Sequence, residues 1–391
     1  MSSQRPRIWK RFPFLIVLVI VGLPVALLVT TAVADRLGYC VNAVLPGSLG
    51  LNTGAYVQDV GLDHATIVWR TAAGRDGSVE VTGPDGAAVR KDVDVSEMQE
   101  VVFTGLQPDT TYQWTAEAGT EDFSGQFTTA PDASGSVRFA AIGDSGTGSH
   151  AQYDIAAQLG AADPDLVLHT GDVVYRRGAL CHYGPKYFAP YETLIASTPV
   201  YPVLGNHDLM ASNGQAWFET FVLPNDNPEG TEEYYSFDYG PVHIVALNSE
   251  YYQRNDQDAI DRQRAWLEAD LAAAESPWTI VVLHRPPFSS TDGKQSDEVQ
   301  TDLAPVFADA GVDLVLAGHA HNYERTIPID GVTYIVTGGG GADLYDIDPT
   351  DITAVAEKTH HFVQIDASPE RLAITALDRD GEVIDTVAIV Q

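Results

Sequence analysis

Basic residues are scarce in this chain: 22 Lys and Arg face 54 Asp and Glu over 391 residues, a formal net charge of −32. Such a surface repels phosphate backbones and anionic bilayers, which argues against nucleic acid and acidic membrane surfaces as partners. An anionic small substrate must then be attracted by local cations rather than by the overall field. Cysteine is nearly absent, with only Cys40 and Cys181, so at most one intrachain disulfide can form. Charged residues are only 19% against 45% hydrophobic, an ordinary globular composition in which disorder is not the default.

One long uncharged apolar stretch is present, Phe12 to Ala34, preceded by Arg5, Arg7, Lys10 and Arg11. This layout is shared by signal peptides and signal anchors. Ala32-Val33-Ala34 offers a small-residue cleavage site, whereas the run reaches the ~20 residues that span a bilayer. Gly22 and Pro24 do not decide between them, since spanning helices tolerate both. On either reading residues 1–35 form a leader whose basic flank stays inside. The rest is expected to be extracytoplasmic, anchored or secreted, with membrane contact through the N-terminal segment only. Leu37-Gly38-Tyr39-Cys40 is only superficially a lipoprotein signal, because bulky Tyr39 stands where small residues are usual. Export chemically permits a Cys40–Cys181 disulfide tying the post-leader segment to the loop after Tyr175; two unpaired thiols are the alternative.

From Gly54 to about residue 130 the pattern is one of short alternating runs, such as Thr66-Ile67-Val68-Trp69-Arg70 and Gln113-Trp114-Thr115-Ala116-Glu117. Gly83-Pro84-Asp85-Gly86 reads as a turn between strands. A small all-β sandwich is expected, with Trp69 in its core and His64 structural. Residues 105–112, Gly-Leu-Gln-Pro-Asp-Thr-Thr-Tyr, resemble the fibronectin type III corner, where a tyrosine hydroxyl bonds nearby backbone. Nothing in this region looks catalytic, and its expected role is that of a spacer or support.

A polar, turn-rich linker, Ala130 to Ser136, precedes a change of periodicity. Apolar runs now alternate with helical patterns at Ala151–Leu159, Ala259–Ala274 and Glu298–Ala310, so residues 137–391 read as α/β. Each of five apolar runs ends in polar residues of one chemistry. Ile142 leads to Gly143-Asp144, Leu168 to Gly171-Asp172-Val173-Val174-Tyr175, Leu204 to Gly205-Asn206-His207-Asp208, Leu283 to His284, and Ala317 to Gly318-His319-Ala320-His321. A lone Gly-Asp is usually only a turn. Five strand ends delivering oxygen and imidazole to one edge are the layout of a two-metal centre bridged by a carboxylate.

The series Gly-Asp, Gly-Asp-x-x-Tyr, Gly-Asn-His-Asp, Val-Leu-His and Gly-His-x-His resembles the purple acid phosphatase branch of the calcineurin-like metallophosphoesterases, with Tyr175 as the branch marker. Residues 318–326 and 334–341 extend the likeness, and the plant-type enzymes carry a fibronectin type III-like domain ahead of the catalytic one. The resemblance implies a four-layer α/β sandwich. It assigns one metal to Asp144, Tyr175 and His321, the other to Asn206, His284 and His319, with Asp172 bridging. The oxygen-rich phenolate set suits Fe(III), and the neutral set suits a divalent Fe, Zn or Mn. A hydroxide generated at the metals is the expected nucleophile on a phosphate monoester. His207 is the expected proton donor to the leaving oxygen, and Asp208 the residue that orients its imidazole. Where the family often places further histidines after the His284 position, this chain has Arg285-Pro286-Pro287-Phe288-Ser289-Ser290, which shifts the burden of protonation to His207.

Arg176 and Arg177 could steer phosphate or simply lie in a solvated loop. His169 and His243 fall in strand patterns and are expected to be bonded core residues, His150 and His182 lie in loops near the site, and His360 and His361 fit no ligand motif. The reading is an exported acid phosphatase acting on phosphate monoesters. A phosphodiesterase or nucleotide pyrophosphatase using the same metals is the alternative within enzymes, with the loops 176–197 and 215–233 able to build its second pocket. An inactive surface-binding module is the alternative outside them, and it has no physical need for seven intact ligands. Oligomeric state, physiological substrate and the second metal stay open.

Overall fold

The computed structural model describes Cys40 and residues 53–391. The expected leader, 1–35, lies outside the described residues. Among the described residues no helix is long and apolar enough to cross a membrane. Residues Gly50–Gln391 form one compact unit.

Its N-terminal part is built of β1 (Tyr56–Gln58), β2 (His64–Thr82), β3 (Ala88–Thr104), β4 (Thr111–Ala118) and β5 (Glu121–Thr128). Strict alternation on β4 buries Tyr112, Trp114, Ala116 and Ala118 and exposes the residues between them, the period of a strand with one wet face. The first half of β2 pairs with β1 and the end of β3, and its second half pairs with the start of β3 and with β4. Two long strands thus run through what the sequence suggests are separate short ones, with register shifts between Arg70 and Gly77. Ile67, Trp69, Val79, Val81, Trp114 and Phe127 share one apolar core. The Gly83–Gly86 turn joins β2 to β3, closed by Gly86 N–H donating to Gly83 O at 3.0 Å. At the tyrosine corner the Tyr112 hydroxyl accepts from Gln107 N–H at 2.9 Å. This layer is fastened to the α/β part by Trp114 Nε1–H on Ala196 O at 3.1 Å, Tyr56 OH on Thr220 O at 2.7 Å and the Arg70–Glu219 pair at 2.9 Å.

Two sheets make up the rest. A six-stranded sheet holds β6 (Val137–Ile142), β7 (Leu166–His169), β8 (Val200–Pro202), β16 (His361–Ser368), β17 (Arg371–Asp378) and β18 (Val383–Val390), in the order β18-β17-β16-β6-β7-β8. A seven-stranded sheet holds β9 (Tyr235–Tyr239), β10 (Val242–Ala246), β11 (Trp278–Leu283), β12 (Leu314–Ala317), β13 (Tyr323–Thr326), β14 (Thr333–Thr337) and β15 (Thr353–Glu357), in the order β15-β13-β14-β12-β11-β10-β9. One core joins the two sheets through Phe139, Ala141, Ile244, Ile280, Leu316, Ile335 and Val363. A second lies on the far side of the seven-stranded sheet, where Val245, Val281, Leu283 and Val315 meet Ile260, Leu267, Leu303 and Phe307 of the helices Gln257–Ala273 and Asp297–Ala310. Strands β11 and β12 are therefore apolar on both faces over Ile280–Leu283 and Leu314–Ala317, which is why their sequences run unbroken there rather than alternating. Each such Val, Leu or Ile contributes about 1.5–3 kcal/mol on burial.

The three principal helices lie at the positions the periodicity suggests. Helix His150–Ala162 starts at Ser149, whose side chain accepts from Gln152 N–H, and Asp297–Ala310 starts likewise at Ser296. What matters for chemistry is polarity. Strands β6, β7 and β8 are mutually parallel, and so are β10, β11 and β12, so their carboxyl ends open at one edge of each sheet.

Candidate metal centre

Asp144 follows β6, Asp172 and Tyr175 follow β7, Asn206 follows β8, His284 follows β11, and His319 and His321 follow β12. The fold brings these seven residues together. The Tyr175 hydroxyl lies 2.8 Å from Asp144 Oδ1, 3.1 Å from Asp172 Oδ2 and 3.0 Å from His321 Nε2. His284 Nε2 lies 3.2 Å from Asn206 Oδ1 and 3.5 Å from Asp172 Oδ2. One ligand atom each from Asp172, His284 and His319 falls within 4.8 Å of the others. Asp172 Oδ2 is thus common to both groups.

Backbone contacts aim the ligands. Asp144 takes the His319 N–H on Oδ2 at 2.8 Å, and Asp172 takes the His207 N–H on Oδ1 at 2.7 Å, so each turns its other oxygen inward. His284 Nδ1 lies 2.8 Å from Thr170 O and His321 Nδ1 2.7 Å from Asp343 O, which fixes both rings with Nε2 towards the cluster. Asp144, Asp172 and His319 hold left-handed backbone, with φ of 55°, 53° and 66°. Such strain costs about 1–3 kcal/mol per residue and concentrates at functional sites. Gly171 (φ 92°) and Gly205 are demanded by close approach: a Cβ would lie 2.7 Å from His284 Nδ1 at the first and 2.3 Å from Asp172 N at the second.

The electrostatics suit cations. Two fully buried carboxylates share a single phenol proton. Burial would raise the Asp144 pKa, but His321 above all, with His284 and His319, holds it below the usual carboxylate range. Burial, then Asp144 and Asp172, push the Tyr175 phenol well above its ordinary value. Burial lowers His319 to about 2, helped by His284, Arg285 and Lys294. Acceptor atoms at this density, three imidazoles and one phenol match the donor set of a binuclear centre with a hard oxygen-rich half and a neutral half.

The remaining candidates separate. His207 is 28% exposed at the rim, its Nδ1 2.5 Å from Arg176 O and its Nε2 4.0 Å from Asp172 Oδ2. Asp208 does not orient it. Its carboxylate turns inward and accepts from Val173 N–H (3.0 Å), Val174 N–H (3.3 Å) and Gly205 N–H (3.0 Å), tying the Asp172 loop to the Asn206 loop. A carbonyl, that of Arg176, takes the expected orienting place. The Arg176 side chain is exposed, and Arg177 donates from Nη2 to Met210 O at 3.1 Å. His169 is buried, with Nε2 2.9 Å from Ser145 Oγ, and burial lowers its pKa to about 4. His243 bonds Asp238 and Asp270. His150 is exposed, His182 is buried, and His360 and His361 contact backbone oxygens of Gly339 and Thr359. Both cysteines, Cys40 and Cys181, are disulfide-bonded, and neither is a free thiol. Reading the sequence missed two residues at the mouth, Arg285 in its positive role and Lys294.

Comparison with known proteins finds similarity over the same part of the chain. Residues 137–323 match the family model of the calcineurin-like phosphoesterases. Human acid phosphatase type 7 is 28% identical over 271 residues, covering 58% of this chain and 61% of that protein. Purple acid phosphatase 23 of Arabidopsis thaliana is 28% identical over 303 residues, covering 65% of each. The chain thus spans about three fifths of the length of the curated relatives it matches. The purple acid phosphatase of yellow lupin (Lupinus luteus) seeds shares the fold, with a TM-score of 0.72 at 21% identity over 87% of this chain and 74% of that one. Residues 137–323 are thus similar to the calcineurin-like phosphoesterases, and the proteins that the chain resembles in sequence and in fold include purple acid phosphatases.

Proposed function

We propose that the chain is an exported phosphatase hydrolysing phosphate monoesters at a binuclear centre of the purple acid phosphatase type. The observation that carries this is Tyr175, whose hydroxyl stands within 3.1 Å of both carboxylates and of His321 Nε2. Asp144, Tyr175 and His321 would hold Fe(III), Asn206, His284 and His319 a divalent Fe, Zn or Mn, and Asp172 both. When bound, the metals supply a water of lowered pKa and charge neutralisation for the phosphoryl group.

The chain's own residues do the rest. Water oxygen bonds to phosphorus while the ester P–O bond breaks, and the leaving alkoxide takes the electron pair and a proton. His207 is placed to give that proton from Nε2. With Nδ1 held by Arg176 O, Nε2 is the ring nitrogen left to face the substrate. Thr170 O and Asp343 O keep His284 and His321 aimed, and Asp208 holds the two ligand loops together.

Strands 54–130 are read as a fibronectin type III-like sandwich supporting the catalytic part, 137–391. The Tyr112 corner and the shared core of the two halves of β2 support this. Export rests on the basic flank and the apolar run 12–34, and the disulfide-bonded state of both cysteines suits an oxidising compartment. The visible spectrum of iron-replete protein beside Tyr175→Phe tests the assignment. A broad phenolate-to-iron band absent from the variant is expected; a colourless active protein would remove the purple acid phosphatase reading and leave a phosphoesterase.

A further inference from the structure

Arg285 stands immediately after His284, and its guanidinium is held in place. Nε lies 2.7 Å from Glu250 Oε1 and Nη2 3.1 Å from Oε2, a bidentate pair on a carboxylate that is only 2% exposed. Arg285 N–H also donates to Ser249 Oγ at 2.9 Å. With that edge of the fork taken, Nη1 points at the cluster and lies 3.3 Å from His319 Nε2. A second cation approaches from another loop. Lys294 Nζ lies over the Tyr345 ring, 4.3 Å from its centroid, and Tyr345 stacks on His321 at 4.2 Å. Among the described residues no carboxylate pairs with this ammonium, in a chain where acidic residues outnumber basic ones 54 to 22. Asp144 and Asp172 are the carboxylates that act on Lys294 through space. Of the neighbours of Tyr175, Arg176 is exposed and Arg177 donates to Met210 O.

We propose that Arg285 and Lys294 form a cationic clamp on the His319 and His321 side of the centre. It receives the oxygens of a dianionic phosphoryl group and so selects phosphate monoesters over diesters, with Glu250 as the positioning residue for Arg285. The inference rests on the phosphatase reading above. A monoester carries its second charge above a pKa of about 6, whereas a diester never exceeds one charge. The planar fork of Arg285 suits two phosphoryl oxygens and Lys294 adds a point charge. In a diester one of those oxygens bears a carbon substituent, so the clamp loses a strong acceptor.

The test uses the metal-loaded full chain at pH 7 with 4-nitrophenyl phosphate and bis(4-nitrophenyl) phosphate, and calorimetric titration with inorganic phosphate. Arg285→Gln and Lys294→Gln should each lower kcat/KM for the monoester by about 10- to 100-fold and weaken phosphate binding by a similar factor. The diester should change by less than about threefold, and metal content not at all. Glu250→Gln should raise the monoester KM more than it lowers kcat. Equal losses on both esters, or unchanged phosphate affinity, would overturn the clamp. Metal loss in Arg285→Gln would overturn it for that residue, making it a support of His319, and Lys294→Gln then decides the remainder. A wild-type chain that turns over neither ester would sink the phosphatase reading instead, while phosphate binding still reads the clamp.

Discussion

Replacing Asp208 by asparagine keeps the shape of a buried side chain and changes only what it can accept. The carboxylate takes three backbone N–H groups, two on Oδ1 from Val173 and Val174 and one on Oδ2 from Gly205. Whichever way the amide is turned, its NH2 faces a backbone N–H. With oxygen towards Val173 and Val174, the conflict falls on Gly205. A hydrogen bond to a charged group contributes about 1.5–3 kcal/mol, and a buried donor left without a partner costs about 1–3 kcal/mol. Against this, burial first and then Asp172 push the Asp208 carboxyl upward in pKa, so its ionised form is itself held at a cost that the amide avoids. A net destabilisation of about 2–4 kcal/mol is expected.

Equilibrium urea unfolding reads the first consequence and metal content the second. Asp208 ties the loop behind Asp172 to the glycine before Asn206, so Asp208→Asn should also weaken metal retention, by about 10- to 100-fold in affinity. His207→Ala is the comparator. Its side chain is 28% exposed and its hydrogen bond goes to a carbonyl outside the ligand set, so stability should move by less than about 1 kcal/mol while poor-leaving-group esters slow sharply. An Asp208→Asn protein that unfolds and binds metal as wild type, yet loses turnover in proportion to leaving-group pKa, would make Asp208 the orienter of His207. The inference from its contacts would then be refuted.

Three further outcomes are expected. Burial alone would lower the His243 pKa, but Asp238 at 2.9 Å and Asp270 at 3.0 Å outweigh it and raise the group to about 9. Its contribution is therefore full below about pH 6.5 and lost as pH rises through about 9. Discounted for the exposure of Asp238, the loss is about 1–3 kcal/mol. His243→Gln should flatten the stability profile over that window, and a wild-type-to-variant difference that stays constant with pH would exclude it. Tyr112→Phe leaves Gln107 N–H without its acceptor and should lower urea stability by about 1 kcal/mol with turnover unchanged. Gly205→Ala would place a methyl 2.3 Å from Asp172 N and Oδ1, so metal content and activity should collapse together while overpacking costs about 1–3 kcal/mol. Normal metal content in that variant would show that the loop yields.

The gathering of the seven candidate ligands was legible because it is written locally. Each donor closes an apolar run, and a run buried on both faces can only be an interior strand, so its end is placed by the sheet rather than by the loop. The contacts that run between elements were not legible. Asp208 follows His207 in sequence, which suggests a partnership, but the turn Asp208–Met210 sends the carboxylate inward while the imidazole stays at the rim. Arg285 reads only as the absence of histidines, because Glu250, which gives it a direction, lies 35 residues upstream on another element. In the N-terminal layer the alternating runs located Trp69 and Trp114, yet they read as short where β2 continues through a register shift between Arg70 and Gly77. The glycines beside the ligands carried more than they disclosed. Before Asp144 and His319, Gly143 and Gly318 each sit where a Cβ would fall 2.0 and 2.7 Å from Thr170 Oγ1. The strand ends approach so closely that side chains at these positions would hold the carboxylates apart. The glycine in each motif is thus a condition of the cluster, and the left-handed φ of Asp144, Asp172 and His319 is the conformation that lets each donor turn back over its own strand end.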